Sequence, residues 1–230
     1  MYKRFTSVIF AVILLTGIML LSGCCTILKG PCASCDKIPT VTSANGRVWM
    51  DRNLGAVRVA QSVDDYQAYG WLYQWGRLAD GHETGHSHTT PILSTGNVPG
   101  HGHFIATSAL PNDWRSQQND SLWQPETVMN NPCPAGFRVP TETEWETERA
   151  SWSSNDSAGA FASPLKLVVA GSRDRISSTV TEAGYTGYYW TSTVSNIAAR
   201  TLWFSIHHAA TTSIYGIARA YGCSVRCIKN

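Results

Sequence analysis

His82, Glu83, His86 and His88, followed by His101 and His103, are residue types that can converge on zinc or copper, because imidazole is the commonest metal ligand. They fall on a stretch, 80–121, that is rich in Gly, His, Thr, Ser, Asn and Pro and has no sustained periodicity. A His-Glu-x-x-His centre needs helical register, which is lacking here, so these residues read as solvated loop side chains and no metal or other cofactor is expected. Cys32-Ala-Ser-Cys35 has the spacing of a redox or zinc half-site, but no second pair or His partner follows at zinc-finger distance. It reads as a tether disulfide or incidental thiols. No nucleophile, base and orienter set of the serine-hydrolase kind and no phosphate loop is visible, so no catalytic residue is expected.

The other chemistry the sequence offers is binding. From Val194 to Gly222 there is no Lys, Glu, Gln, Met, Asp or Pro, while Ser, Thr, Ile, Ala, His, Tyr, Gly, Asn and Arg crowd together. An asparagine codon ending in a pyrimidine, with its two adenines randomised, yields each of those residues and never Lys, Glu, Gln, Met or Trp. The run therefore has the composition of a mutagenised cassette. Trp203 breaks the rule and is expected to be a fixed, buried scaffold position. Ordinary strands of low charge share much of this composition, so composition alone leaves both readings open.

The rest of the chain must display that run. Lys3 and Arg4 precede an apolar stretch from Val8 to Leu21, too short for a span of about 20 residues and suited to a signal h-region. Leu21-Ser22-Gly23-Cys24 follows and resembles the lipobox of bacterial lipoproteins, which implies cleavage before Cys24 and its lipidation. Several acyl chains, at about 0.8 kcal/mol per buried methylene, give lasting anchorage. The expected organisation is a signal peptide over 1–23, the lipidated Cys and a tether over 24–39, and one domain over 40–230, in the bacterial cell envelope on the outer membrane surface. The 18 basic and 16 acidic residues are nearly balanced and no basic run follows the signal, which argues against nucleic acid as a partner. Nine Trp and nine Tyr supply a sizeable aromatic core. Seven Cys in an exported chain point to oxidised thiols.

Within the domain, Asn45-Gly46 between Val41-Thr42 and Arg47-Val48-Trp49-Met50 is a hairpin signal. Ser62 is expected to cap a helix from Val63 to Tyr69, and Trp71, Tyr73 and Trp75 alternate as on a strand with one aromatic face. Thr141-Glu142-Thr143-Glu144 has the form of a capping box and opens a helix expected to reach about Trp152, with Glu144, Glu146 and Glu148 mostly facing water. Leu165–Val169 reads as a strand. Few helices, many short antiparallel strands and long loops indicate an α+β fold.

Five phrases in order resemble the Fibrobacter succinogenes major paralogous domain family. They are Gly46–Gly55, Tyr73-Gln74-Trp75-Gly76-Arg77, Asn131–Thr141, Tyr189–Thr193 and Ser224-Val225-Arg226-Cys227, and the likeness covers residues 41–230. Gly136–Glu146 also looks like the sulfatase-modifying (formylglycine-generating) superfamily, which implies a C-type lectin-like fold. Proteins with such borders include the targets of diversity-generating retroelements, whose last strands and loops are mutagenised. Against an asparagine-rich template, the positions implied to vary and to bind ligand are Asn196, Thr201, Ser205, His207, His208, Thr211, Thr212, Ser213, Ile214, Tyr215 and Tyr221. Tyr215, Tyr221, His207 and His208 are the expected anchors, since such side chains supply rigid contact area. The implied ligand is a protein or glycan on another cell or on a phage or host surface.

The same resemblance implies a Cys133–Cys227 disulfide, both residues belonging to constant motifs, and leaves Cys223 outside it. It also raises two alternatives. Formylglycine-generating oxidases use a pair of C-terminal cysteines, but the spacing of Cys223 and Cys227 differs from theirs. Calcium-dependent sugar binding uses Glu-Pro-Asn or Gln-Pro-Asp and Trp-Asn-Asp triplets, of which only Pro111-Asn112-Asp113-Trp114 is approached, out of place, and Asp174 and Glu182 read as loop carboxylates. A non-diversified envelope lipoprotein or adhesin shares the fold, disulfide and anchor with the preferred reading.

Overall fold

Asn-Gly turns the chain where the local code expects it. In the computed structural model, which describes residues 38–211 and 216–230, strands β1 (Thr40–Thr42) and β2 (Val48–Met50) pair antiparallel with Thr42 opposite Val48. Gly46 takes φ +81°, a conformation that glycine adopts without a Cβ penalty. The signal sequence, Cys24, Cys25, Cys32 and Cys35, and Thr212, Ser213, Ile214 and Tyr215, lie outside the described residues.

The expected helix over 63–69 is instead a single 3-10 turn, Tyr66–Ala68, and its cap is Asp65 rather than Ser62. Asp65 accepts from the Gln61 and Gln67 N–H groups and from Arg58, while Ser62 Oγ donates to Asp64. Strand β3 (Tyr73–Gln74) follows. Tyr73 and Trp75 are buried as expected, but Trp71 is 41% exposed, and Gln74 is buried on the opposite face. Within 80–121, β4 (Thr89–Thr90) and β5 (Phe104–Ile105) form a parallel pair with Thr89 opposite Phe104. Strand β6 (Phe137–Arg138) then leads into helix α1 (Glu142–Arg149), whose reciprocal capping box joins Thr141 and Glu144.

Helix α1 ends at Arg149, short of Trp152. Its acidic residues do not mostly face water. Glu148 is fully buried under the β1–β2 turn and accepts from Asn45 Nδ2, and Glu144 binds Arg138 and Arg47. Helix α2 (Ser157–Ala162) is capped by Asp156. Leu165–Val169 is not a strand. It runs as an irregular buried segment, with the Leu167 N–H bonded to Ala160 O and the Val169 N–H to Val63 O, so its apolar run records burial rather than a ladder.

The remaining strands are β7 (Ser172–Arg173), β8 (Val180–Thr181), β9 (Gly187–Ser195), β10 (Ala198–Phe204), β11 (Ala209–Thr211), β12 (Ile217–Ala218), β13 (Gly222–Cys223) and β14 (Ile228–Lys229). They complete sheets ordered β1-β2-β14-β6 and β3-β13-β7-β8, and a third in which β10 pairs β9 on one edge and β11 and β12 on the other. The fold is α+β, rich in short strands with few short helices. Among the described residues no helix is long and apolar enough to cross a membrane.

Both faces of the β9–β10 ribbon are covered. Tyr189, Leu202 and Phe204 pack with Trp49 and Trp145. Trp190 and Ala199 pack with Trp75, Trp114, Cys133 and Cys227. Cys133 and Cys227 are joined, closing 94 residues into a loop that by the chain-entropy model contributes about 4–5 kcal/mol. Gly187 lies opposite Phe204, whose ring would stand 2.4 Å from a Cβ there, so only glycine fits under that ring.

Candidate functional site

The motif residues build the frame from buried polar hubs. Gln74 Nε2 donates to Ile105 O and Ala220 O, and its Oε1 accepts from the Ile105 N–H and from Arg77. Asn53 Nδ2 donates to Tyr69 O and Tyr189 Oη, and its Oδ1 accepts from Arg226. Burial lowers the Arg226 guanidinium to about 10, and its Nη1 donates to the Leu165 and Met50 carbonyls. Indole N–H groups of Trp75, Trp114, Trp145 and Trp190 each donate to a backbone carbonyl. A buried donor left without a partner costs about 1–3 kcal/mol, so each of these bonds makes its indole position specific.

The terminal run starts on β9 and ends on β13. Where β10 begins, Asn196 and Ile197 are exposed in the turn, Asn196 with φ +52°. Beside them lies a hollow of about 650 Å³, bordered by Gly216, Ile217, Ala218 and Tyr221 from the run and by Asn112, Asp174, Arg175, Glu182 and Tyr188 from the frame. A second hollow of about 260 Å³, lined by Pro111, Ser195, Asn196 and Ile197, shares Asn112 and Ala218 with it. The larger one carries both charge signs and two phenols. Tyr188 Oη donates to Glu182 at 2.8 Å, and burial, reinforced by that carboxylate, raises the Tyr188 phenol. The Arg175 guanidinium lies 5.9 Å from the Tyr221 ring. Burial would raise Asp174, but the Ser177 and Ile176 N–H groups outweigh it and hold the carboxyl below its ordinary range. The site can offer hydrogen bonds of either sense and two aromatic surfaces.

Of the positions expected to vary, the structure brings Asn196 and Tyr221 to these hollows. Ser205, His207 and His208 lie in the turn at the other end of β10, which at about 3.3 Å per residue is roughly 20 Å away. That turn is tied to the frame: the Ser157 N–H donates to Ser205 O, and Asn155 Nδ2 to Ala209 O. Thr211 ends β11 opposite Leu202. Thr201 does not belong to a binding surface. It is 2% exposed and lies opposite Trp190, on a face of β10 already covered by core. Trp203 is half-buried rather than buried, opposite Tyr188 and 5.8 Å from the His208 ring, on the rim of the same face. Arg175 and Tyr188 carry no chemical pattern in the sequence, and Asn112 entered it only through the out-of-place triplet; Asn112 and Glu182 take φ of 63° and 59°, a backbone property that composition does not encode.

The loop histidines separate into two kinds. His82 is fully buried, and its Nε2 accepts from the Gln74 N–H at 2.9 Å. A backbone amide can only donate, so the ring proton sits on Nδ1, facing Asp80 at 2.7 Å. Burial lowers the ring's pKa to about 4. Although Asp80, His82 and Glu83 lie close enough to surround an ion, His82 has no free lone pair to give one. The cluster is a structural network completed by Arg77, which donates twice to Asp80. His88, His101 and His103 remain at the surface.

Cys227 is spent in the bridge to Cys133, and Cys223 is buried with its thiol pushed up by desolvation. Asp113, from the lectin-like triplet region, is 2% exposed, lies 3.9 Å from Arg219, and is raised by burial. Comparison with protein-family models, with curated proteins and with solved structures finds no match.

Proposed function

We propose that this chain is a lipid-anchored, surface-displayed binding module of C-type lectin-like fold, whose run 194–222 was diversified by a retroelement and contacts a protein or glycan ligand. The observation that carries the reading is the hollow walled on one side by Gly216, Ile217, Ala218 and Tyr221 and on the other by charged and phenolic frame residues. The run thus borders a concave polar surface, as a paratope does, on a frame whose indoles and disulfide are independent of the exposed side chains. The five ordered motifs and the lipobox-like Leu21–Cys24 support the family and the envelope location.

The assignment of variable positions follows burial. Asn196, Ile197, Ser205, His207, His208 and Tyr221 are exposed or half-exposed and accessible from a mutagenised asparagine codon, whereas Thr201 is core. Surface changes usually alter stability by no more than about 0.5 kcal/mol, so such positions can vary without unfolding the frame. The test is to randomise these six positions in the full chain with codons whose first two bases are free and whose third is a pyrimidine. A library that stays folded and yields binders to an arbitrary immobilised protein supports the reading. One that mostly unfolds, or yields none, contradicts it.

A further inference from the structure

We propose that His88, His101 and His103 form a surface site for a zinc-class divalent transition-metal cation, separate from the hollows at the terminal run. The ring centroids of His101 and His103 are 4.8 Å apart, and those of His88 and His103 5.9 Å. Imidazoles sharing one tetrahedral zinc, with Zn–N near 2.0–2.1 Å, have centroids about 5 Å apart, so the His101–His103 pair stands at chelate spacing and His88 must move closer to His103.

The backbone beneath the three rings is pinned. The parallel register that sets Thr89 opposite Phe104 places His88 beside His103, and the Phe104 N–H donates to His88 O at 2.7 Å. His101 and His103 are two apart, the spacing that directs side chains to one face of an extended segment. Buried Arg77 fixes both, donating to His101 O and His103 O at 3.0 Å each. Gly102 between them packs on Asp80 O, which would stand 2.6 Å from a Cβ there. The rings themselves are exposed or half-exposed and reachable by an ion.

Two adjustments complete the site. His101 Nδ1 accepts from the His103 N–H at 3.1 Å on the surface, and ligation exchanges that exposed bond for one to the metal. Ring rotation has to bring one nitrogen of each imidazole to a common point, and water would fill the fourth position. Borderline imidazole ligands without thiolate select zinc, copper or nickel over calcium or magnesium.

The test is calorimetric titration of the untagged full chain in detergent with Zn²⁺ alone. The expected result is saturable binding of one ion per chain, weakened about tenfold or more in each of H88A, H101A and H103A. H86A and H82Q should bind as the wild type does, and circular dichroism should show all five variants folded. With Cu²⁺ as probe, electron paramagnetic resonance should report three imidazole nitrogens. Absence of saturable binding, equal binding by H103A, loss of binding in H82Q, or fewer than three nitrogens overturns the proposal. None of these outcomes depends on whether the terminal run binds a ligand.

Discussion

In the frame, Trp75, Trp114, Trp145 and Trp190 are fully buried with their N–H groups committed to carbonyls, and the disulfide ties the β6 approach to the last strand. In the run from Val194 to Gly222, the turns Asn196–Ile197 and Ser205–His208 reach into solvent. Yet the two regions interpenetrate: Ala199, Thr201, Leu202 and Phe204 from the run are as buried as any frame residue. Variation is therefore permitted by position within the run, not by membership of it. A strand covered on both faces carries core, and only its ends are free.

That contrast breaks first where the frame is cut. Replacing both Cys133 and Cys227 with Ala opens a 94-residue loop and should cost about 4 kcal/mol, lowering Tm by roughly 10 °C in calorimetry. An unchanged Tm would mean that the aromatic core holds the frame without the bridge.

Acid should loosen the frame next. His82 is neutral when folded, with a pKa of about 4, and binds a proton more readily when unfolded, near 6.5. Between those values the unfolded chain binds more protons, so stability is full above about pH 6.5 and falls as pH drops towards 4, by up to about 3 kcal/mol. H82Q keeps an acceptor for the Gln74 amide and a donor for Asp80 but cannot titrate. Denaturant midpoints measured across this window should show that the variant lacks this part of the wild-type slope.

How far this contrast was legible in the sequence depends on the range of the forces involved. The Asn45-Gly46 turn and the Thr141–Glu144 box depend on neighbours in the chain, and both form as read. The Cys133–Cys227 pairing came through the motif resemblance and is present. Glu148 looked solvated because its helix position is charged, but the β1–β2 turn folds over it. Leu165–Val169 looked like a strand because apolar runs in buried coil and in strands are the same letters. Thr201 and Trp203 depart from expectation together: codon accessibility marks what can change, while burial depends on which face of β10 meets the Trp75 cluster.

Within the run, T201Y sharpens the comparison. Tyr is reachable from an asparagine codon, but a large ring beside Trp190 overpacks the core and should cost about 1–3 kcal/mol in chemical denaturation. The smallest effects belong to the exposed turns. I197A, H207A and the exposed Asn196→Gly change should each lie within about 0.5 kcal/mol, and a larger loss at any of them would assign that residue to the frame.

If the proposed function holds, the exposed ends of this run were varied on a constant frame. Sequencing the DNA around the coding region tests it most directly. The account predicts a reverse transcriptase gene and a near-identical, adenine-rich repeat of the C-terminal coding stretch, with template adenines at the codons for Asn196, Ser205, His207, His208 and Tyr221 and none in the codon for Trp203. A locus with neither the gene nor the repeat would contradict it.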